Sequence, residues 1–149
     1  MTSPEADNVV YTFAANGSVH STASPEAIGS PLFNEVDAYI AIFDAALGVN
    51  SATWYDRSVG ATDDSLGKAR FTAKFNDPLV PVDEIIDQLL SVSVPIVAGI
   101  NKFDIFANLG IVAVNNANPI EITLDFTHTA SFGIDLPPGR ATLRPRACS

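Results

Sequence analysis

The sequence predicts an all-β fold, an antiparallel β-sandwich of jelly-roll or Ig-like type with one short helix near residues 81–90. Three observations lead there. First, residues 120–136 alternate. Ile120, Ile122, Leu124, Phe126, His128, Ala130, Phe132, Ile134 and Leu136 take the even positions, and Glu121, Thr123, Asp125, Thr127, Thr129, Ser131, Gly133 and Asp135 the odd ones. Successive side chains of a strand point to opposite faces, so this is one apolar and one wet face, as in a half-buried antiparallel sheet. Second, about seven to nine strand-like runs follow one another at short spacing with turn residues between them. Third, charged residues are only 17% of the chain, below the roughly 25% of typical soluble domains. Ser, Thr, Asn and Gly must therefore supply the polar surface.

Residues 1–8 are polar and read as a flexible N-terminus. Residues 9–139 read as a single sandwich domain, and residues 140–149 as a disordered basic tail. Residues 9–15 form the first strand, with Val9, Tyr11, Phe13 and Ala15 on one side. Asn16-Gly17 reads as a turn, because glycine reaches positive φ without steric cost and asparagine tolerates it, and residues 19–23 as the returning hairpin strand. Two prolines and a glycine make residues 24–31 a loop.

Residues 35–46 are apolar on both faces. The three alanines would tolerate a helix, but Val36, Tyr39, Ile40, Ile42 and Phe43 favour a central strand. Gly48 closes it. Residues 52–55 are a short strand and residues 60–67 a polar loop. Residues 68–75 alternate cleanly, with Ala69, Phe71, Ala73 and Phe75 inward and Lys68, Arg70, Thr72 and Lys74 outward. Pro78 ends the run, since proline has no amide hydrogen for a ladder.

The helix expectation rests on Val82, Ile85, Ile86, Leu89 and Leu90, which fall on one face at i, i+3, i+4, i+7 and i+8. Pro81 suits a first turn, and Asp83 and Glu84 suit the positive end of the helix dipole. Residues 91–100, 103–107 and 109–114 are apolar strands, the first demoted to an edge or bend by Pro95. The 17 alternating residues would span roughly 55 Å as one strand, well beyond the usual length. A bend, a bulge or a crossover between sheets is therefore expected at residues 127–130, with no change of face.

The formal net charge of -9 argues against nucleic acid and anionic membrane partners, which need clustered Lys and Arg. Three of the eight basic residues, Arg140, Arg144 and Arg146, stand in the last ten positions. No run of 18 apolar residues exists, so no membrane span is expected. The residues after Met1 lack the basic start and apolar run of a signal peptide. The lone Cys148 can form neither an internal disulfide nor a zinc site.

Several residues are candidates for chemistry. His128 could act as a general base oriented by Asp125 or Asp135, but both carboxylates have the opposite parity and should face away from it. The bland reading is a hydrogen-bonded histidine at the sandwich edge. Gly-x-Ser-x-Gly, glycine-rich phosphate loops and HExxH are all missing from the sequence, so no catalytic residue is assigned. Asp56, Asp63 and Asp64 lie in or near a glycine-containing loop and are candidate Ca2+ ligands, with an acidic solvated turn as the alternative. Trp54 and Tyr55 are candidate ligand-binding aromatics that could stack on sugar rings, with core packing of Trp54 as the alternative. Lys68, Arg70 and Lys74 form a basic stripe, which cross-strand pairing with Asp125, Glu121 or similar carboxylates would explain. Asn16-Gly17-Ser18 matches the N-glycosylation acceptor pattern.

Two stretches carry a resemblance. VYTFAANGSV at residues 10–19 resembles the first mature strand of many bacterial exported proteins. DFTHTASFGIDLPPG at residues 125–139 is similar to the closing β segment that precedes the sorting signal in PEP-CTERM (exosortase-sorted) proteins. The resemblance implies export, surface or extracellular placement, and no known enzymatic activity. The Pro-Glu-Pro motif, apolar anchor, terminal arginine cluster and export signal of that family are not in this sequence. After Gly139 the text changes to RATLRPRACS, so the expectation is a frame-shifted or truncated end and a piece of a longer exported protein.

The leading expectation is an exported or cell-surface β-sandwich of structural or interaction role without catalysis, with a polysaccharide or another cell-surface protein as partner. The alternatives are a carbohydrate-binding module using Trp54 and Tyr55, and a small hydrolase centred on His128. No cofactor is expected beyond the Ca2+ considered above.

Overall fold

The computed structural model describes residues 7–22, 32–75, 80–97, 99, 101–115, 122–126 and 130–139. Strand β1 runs Asn8–Ser21, and Val9, Tyr11, Phe13, Ala15 and Val19 are buried along one face. The turn expected at Asn16-Gly17 does not form. β1 pairs without a break with strand β4 (Val82–Pro95), from Asn8 opposite Pro95 to Ser21 opposite Val82. Pairing with Asp87 and Ile86 of β4 holds the backbone extended there, and neither Asn16 nor Gly17 has positive φ. Glycine is needed at position 17 for a different reason. The Phe126 ring lies where a Cβ would stand, so any larger residue would collide with it.

The helix expected at residues 81–90 is likewise replaced by strand. β4 buries Ile86, Leu90, Val92 and Val94, every second or fourth position, which is strand geometry. Ile85 and Leu89 complete the apparent helical stripe, yet they are 85% and 67% exposed on the outer face. Glu84 and Gln88 take inward positions opposite Val19 and Ala15, where Glu84 is exposed and Gln88 half-buried.

Strands β6 (Ile122–Asp125) and β7 (Ala130–Asp135) are the two halves of the long alternation. Both pair with the other edge of β1, giving a first sheet of order β4-β1-β6 with β7 beside β6 on β1. No crossover to the second sheet occurs between them. Ser18 faces Asp125 and Ala15 faces Ala130, so four sequence positions separate these paired ends on the later segment and two on β1. The surplus is even, and the facing pattern is therefore kept: Phe132 still lies opposite Phe13 and Ile134 opposite Tyr11. Asp125 and Asp135 lie opposite Ser18 and Val10, on the outer face, as their parity requires. His128 lies outside the described residues, as do Glu121, Cys148 and the tail.

The second sheet has the order β3-β2-β5, all antiparallel, with β2 at Leu32–Asp44, β3 at Gly67–Lys74 and β5 at Phe103–Asn115. β2 is the central strand its two-sided apolar pattern requires. Ala38, Ile40 and Ile42 pack against Tyr11, Phe13, Val92 and Val94 of the first sheet. Tyr39, Ala41 and Phe43 point the other way and are buried as well, under Val49, Trp54 and Phe106. The architecture is thus an all-β, sandwich-like pairing of two antiparallel sheets. At one side β3 crosses close to β4, where a Cβ on Gly67 would meet the Val92 side chain.

The cover on the outer face of β2 comes from the β2–β3 connection. A 3-10 turn, Ala45–Leu47, is capped by the Asp44 carboxylate, which accepts from the Ala46 N–H at 2.8 Å, and Gly48 leaves it in the left-handed region at φ 59°. Helix α1 then spans Trp54–Val59, where a short strand over residues 52–55 was expected. Asn50 starts it: its side chain accepts from the Ala52 N–H, and its carbonyl from the N–H groups of Thr53 and Trp54. Six residues cannot sustain a helix alone, so the docked Trp54 holds it in place.

The strand assignment of residues 82–95 separates two neighbouring isoleucines. Ile86→Ala should lower unfolding free energy by about 2–4 kcal/mol, and Ile85→Ala by less than about 1 kcal/mol. Urea titration of both variants checks this, whereas a helical stripe would make both changes costly.

Candidate functional site

The outer face of the second sheet is where the polar and aromatic candidates gather. The β2–β3 register sets Glu35 opposite Lys74, Asp37 opposite Thr72, and Tyr39 opposite Arg70. These side chains share one face, so charge pairs across the two strands. Arg70 Nε donates to Asp37 Oδ1 at 2.6 Å, and the Thr72 hydroxyl donates to the same oxygen at 2.8 Å. Lys74 Nζ lies 3.3 Å from Glu35 Oε2. The hydrogen bond and charge of Asp37 hold the Arg70 guanidinium above its ordinary pKa. The basic stripe is therefore paired within the fold, Arg70 with Asp37 and Lys74 with Glu35 across the β2–β3 register and Lys68 with Asp63 of the β2–β3 connection.

Next to this ladder stands an aromatic cluster. Trp54 stacks on Tyr39 at 5.4 Å between ring centroids and on Phe106 at 5.7 Å, while Tyr55 meets both Tyr39 and Trp54 edge-on. The Arg70 guanidinium lies 5.9 Å from the Tyr39 and Tyr55 ring centroids, within cation–π reach. Trp54 is half-buried and serves chiefly as the anchor of α1. Tyr55 is 38% exposed and is the more accessible aromatic of the pair. The Tyr39 hydroxyl is buried without a hydrogen-bond partner among the described residues.

Asp56, Asp63 and Asp64 do not converge. Asp64 Oδ2 accepts from Arg57 Nε at 2.9 Å and from Arg57 Nη2 at 2.7 Å. Asp63 Oδ2 accepts from Lys68 Nζ at 2.6 Å, while its Oδ1 accepts from the Ser65 hydroxyl and N–H. Asp56 lies exposed in the first turn of α1. Among the described residues no three His, Cys, Asp or Glu side chains stand close enough to share a metal ion. The loop's acids act as ion-pair partners that tie the β2–β3 connection to itself and to β3.

Elsewhere, His20 lies on the outer face of the first sheet, 3.7 Å from the Asp83 carboxylate, with both side chains exposed. A cleft of about 540 Å³ at one end of the sandwich is lined by Asp44, Ala45, Ala46, Asn101, Lys102 and Phe103, together with Val97. A second, apolar cleft of about 260 Å³ lies between β5 and β7, lined by Phe13, Ile105, Ala107, Ala130, Ser131 and Phe132. Neither feature was marked by a motif, because each is made by residues far apart in sequence.

Compared with protein-family models, curated proteins and solved structures, the chain matches none. Among the described residues no helix is long and apolar enough to cross a membrane.

Asp63 gives this region a pH signature. The Lys68 hydrogen bond, followed by those from Ser65, lowers its pKa from 3.8 to about 2. A carboxylate whose folded pKa is depressed stabilises the fold above its unfolded pKa, and that contribution is lost as pH falls through the folded one. Asp63→Asn should therefore flatten the loss of stability between about pH 4 and pH 2. The pair is exposed, so the difference should stay below about 1 kcal/mol. Thermal midpoints of both proteins across that range test it.

Proposed function

We propose that this chain is an exported or cell-surface β-sandwich protein that acts by structure or interaction, without catalysis. The observation that carries this reading is how the sandwich uses its charge. Arg57, Lys68, Arg70 and Lys74 are each engaged with a carboxylate of the same fold. The remaining surface is rich in Ser, Thr and Asn, and only 17% of residues are charged. Such a surface suits the extracellular side, where a module presents its sheet faces and strand edges to partners. The resemblance of residues 10–19 and 125–139 to exported, PEP-CTERM-type proteins supports the same placement.

The test is protease shaving of intact cells that carry the natural full-length gene product, followed by detection with an antibody to this domain. Loss of signal under conditions that spare cytosolic proteins is the expected result. Full protection until the cells are lysed would overturn surface placement.

Exposed Tyr55, beside Trp54 and Arg70, favours carbohydrate binding as a second reading. Trp54 is the sole tryptophan, so its fluorescence reports on this site directly. Under this reading a polysaccharide that binds here shifts the emission, and Tyr55→Ala abolishes the shift.

A further inference from the structure

β4 is an outer strand of the first sheet. All 14 of its residues pair with β1, and among the described residues no strand pairs with its other edge. An edge of this length presents a row of amide and carbonyl groups to any extended chain that fits beside it. The side chains next to that row have an order of their own. Asp83, Ile85, Asp87 and Leu89 follow one another on the outer face, and all four are exposed. Two large aliphatic side chains, 85% and 67% exposed, thus alternate with two carboxylates. Glu84 adds a third exposed carboxylate at the same edge.

Charge decides which chain could dock there. A second copy pairing antiparallel about Ile85 would set Asp83 against Asp87, and like charges directly opposite destabilise a pair. The net charge of -9 opposes self-association generally. A strand with cations opposite the aspartates and aliphatic residues opposite Ile85 and Leu89 meets both demands.

We propose that the edge of β4 over residues 82–90 takes up an extended segment of a partner protein, in which aliphatic and cationic residues alternate at every second position. Backbone hydrogen bonds supply the affinity, and the order of Asp83, Ile85, Asp87 and Leu89 supplies the selection. In the antiparallel sense the segment reads aliphatic, x, cation, x, aliphatic, x, cation. This names the partner chemistry of the interaction role proposed above, and so rests on that reading.

The test uses the full chain and a fluorescein-labelled, end-blocked heptapeptide, Val-Thr-Lys-Thr-Val-Thr-Lys, with anisotropy as the readout. Two controls are a scrambled peptide of the same composition and a peptide N-methylated at alternate residues. Saturable binding of the ordered peptide is expected, with neither control binding comparably. Asp83→Asn with Asp87→Asn should weaken binding about tenfold at low salt and much less at high salt. Ile85→Ser with Leu89→Ser should weaken it at both. All four side chains are exposed, so circular dichroism should show both double variants folded.

Equal binding of the N-methylated or scrambled peptide would overturn strand addition, as would binding unchanged in both double variants. No binding of the ordered peptide at millimolar concentration would also overturn it. Cell shaving reads surface placement separately, so a domain that is exposed on cells but ignores the peptide would sink this proposal alone.

Discussion

The antiparallel pairing of β1 with β4 is the constraint on which the rest of the structure depends. It runs for 14 residues in unbroken register. A slip of one residue would turn Tyr11, Phe13 and Val19 outward and bring Thr12, Ala14 and His20 into the core. The apolar face thus fixes the register, and the register sets which side chains the first sheet turns toward the second. β6 and β7 take their positions from the second edge of β1. Tyr11 carries the link across the sandwich, with its ring edge-on to Phe103 of β5 and stacked with Phe132 of β7.

The second sheet solves a different problem. β2 is apolar on both faces, so facing the first sheet satisfies only half of it. The remaining face needs a cover, and the β2–β3 connection supplies one by folding back as a short helix. Trp54 lays its ring on Tyr39 and Phe106, while Arg57 fastens the excursion by donating to the Leu47 carbonyl and to Asp64. Lys68 adds a second tie, donating to the Ser58 carbonyl and to Asp63. These ion pairs are exposed and individually weak. Their main effect is geometric, since they hold the connection where Trp54 can reach Tyr39 and Phe106.

Legibility in the sequence followed burial. β3 was readable because one face meets the core and the other meets water. β7 was readable from its alternation alone, since Phe132 and Ile134 stay 46% and 40% exposed. β2 was readable because Val36, Tyr39, Ile40, Ile42 and Phe43 tip a run that is apolar on both faces from helix to central strand. Residues 82–90 misled because two exposed aliphatics, Ile85 and Leu89, completed a helical stripe by chance of spacing. The polar Glu84 and Gln88 at inward positions hid the true alternation of two. Asn16-Gly17 misled because turn chemistry is local, whereas the extended conformation there is imposed by strands more than 60 residues away in sequence. The site was legible only in part. Trp54 and Tyr55 were found by residue type, but the carboxylates that answer Arg70 and Lys74 emerge only from the β2–β3 register.

The strand edges show why the features that misled at residues 82–90 matter physically. A sandwich must protect its outer strands from indiscriminate pairing. The β6/β7 edge is cut into pieces of four and six residues. The eight residues of β3 carry Lys68, Arg70 and Lys74. β4 is longer than either, and Pro95 stands only at its end. Its protection comes from acids, but Ile85 and Leu89 between them work against protection. Aliphatic side chains at the solvent face of a strand lose nothing when the strand stands alone and gain burial when another joins it. Acids placed between them repel most of what an acidic chain would meet, its own copies included, and leave the edge open to a segment of opposite charge. Protection and selection are then the same arrangement of four side chains.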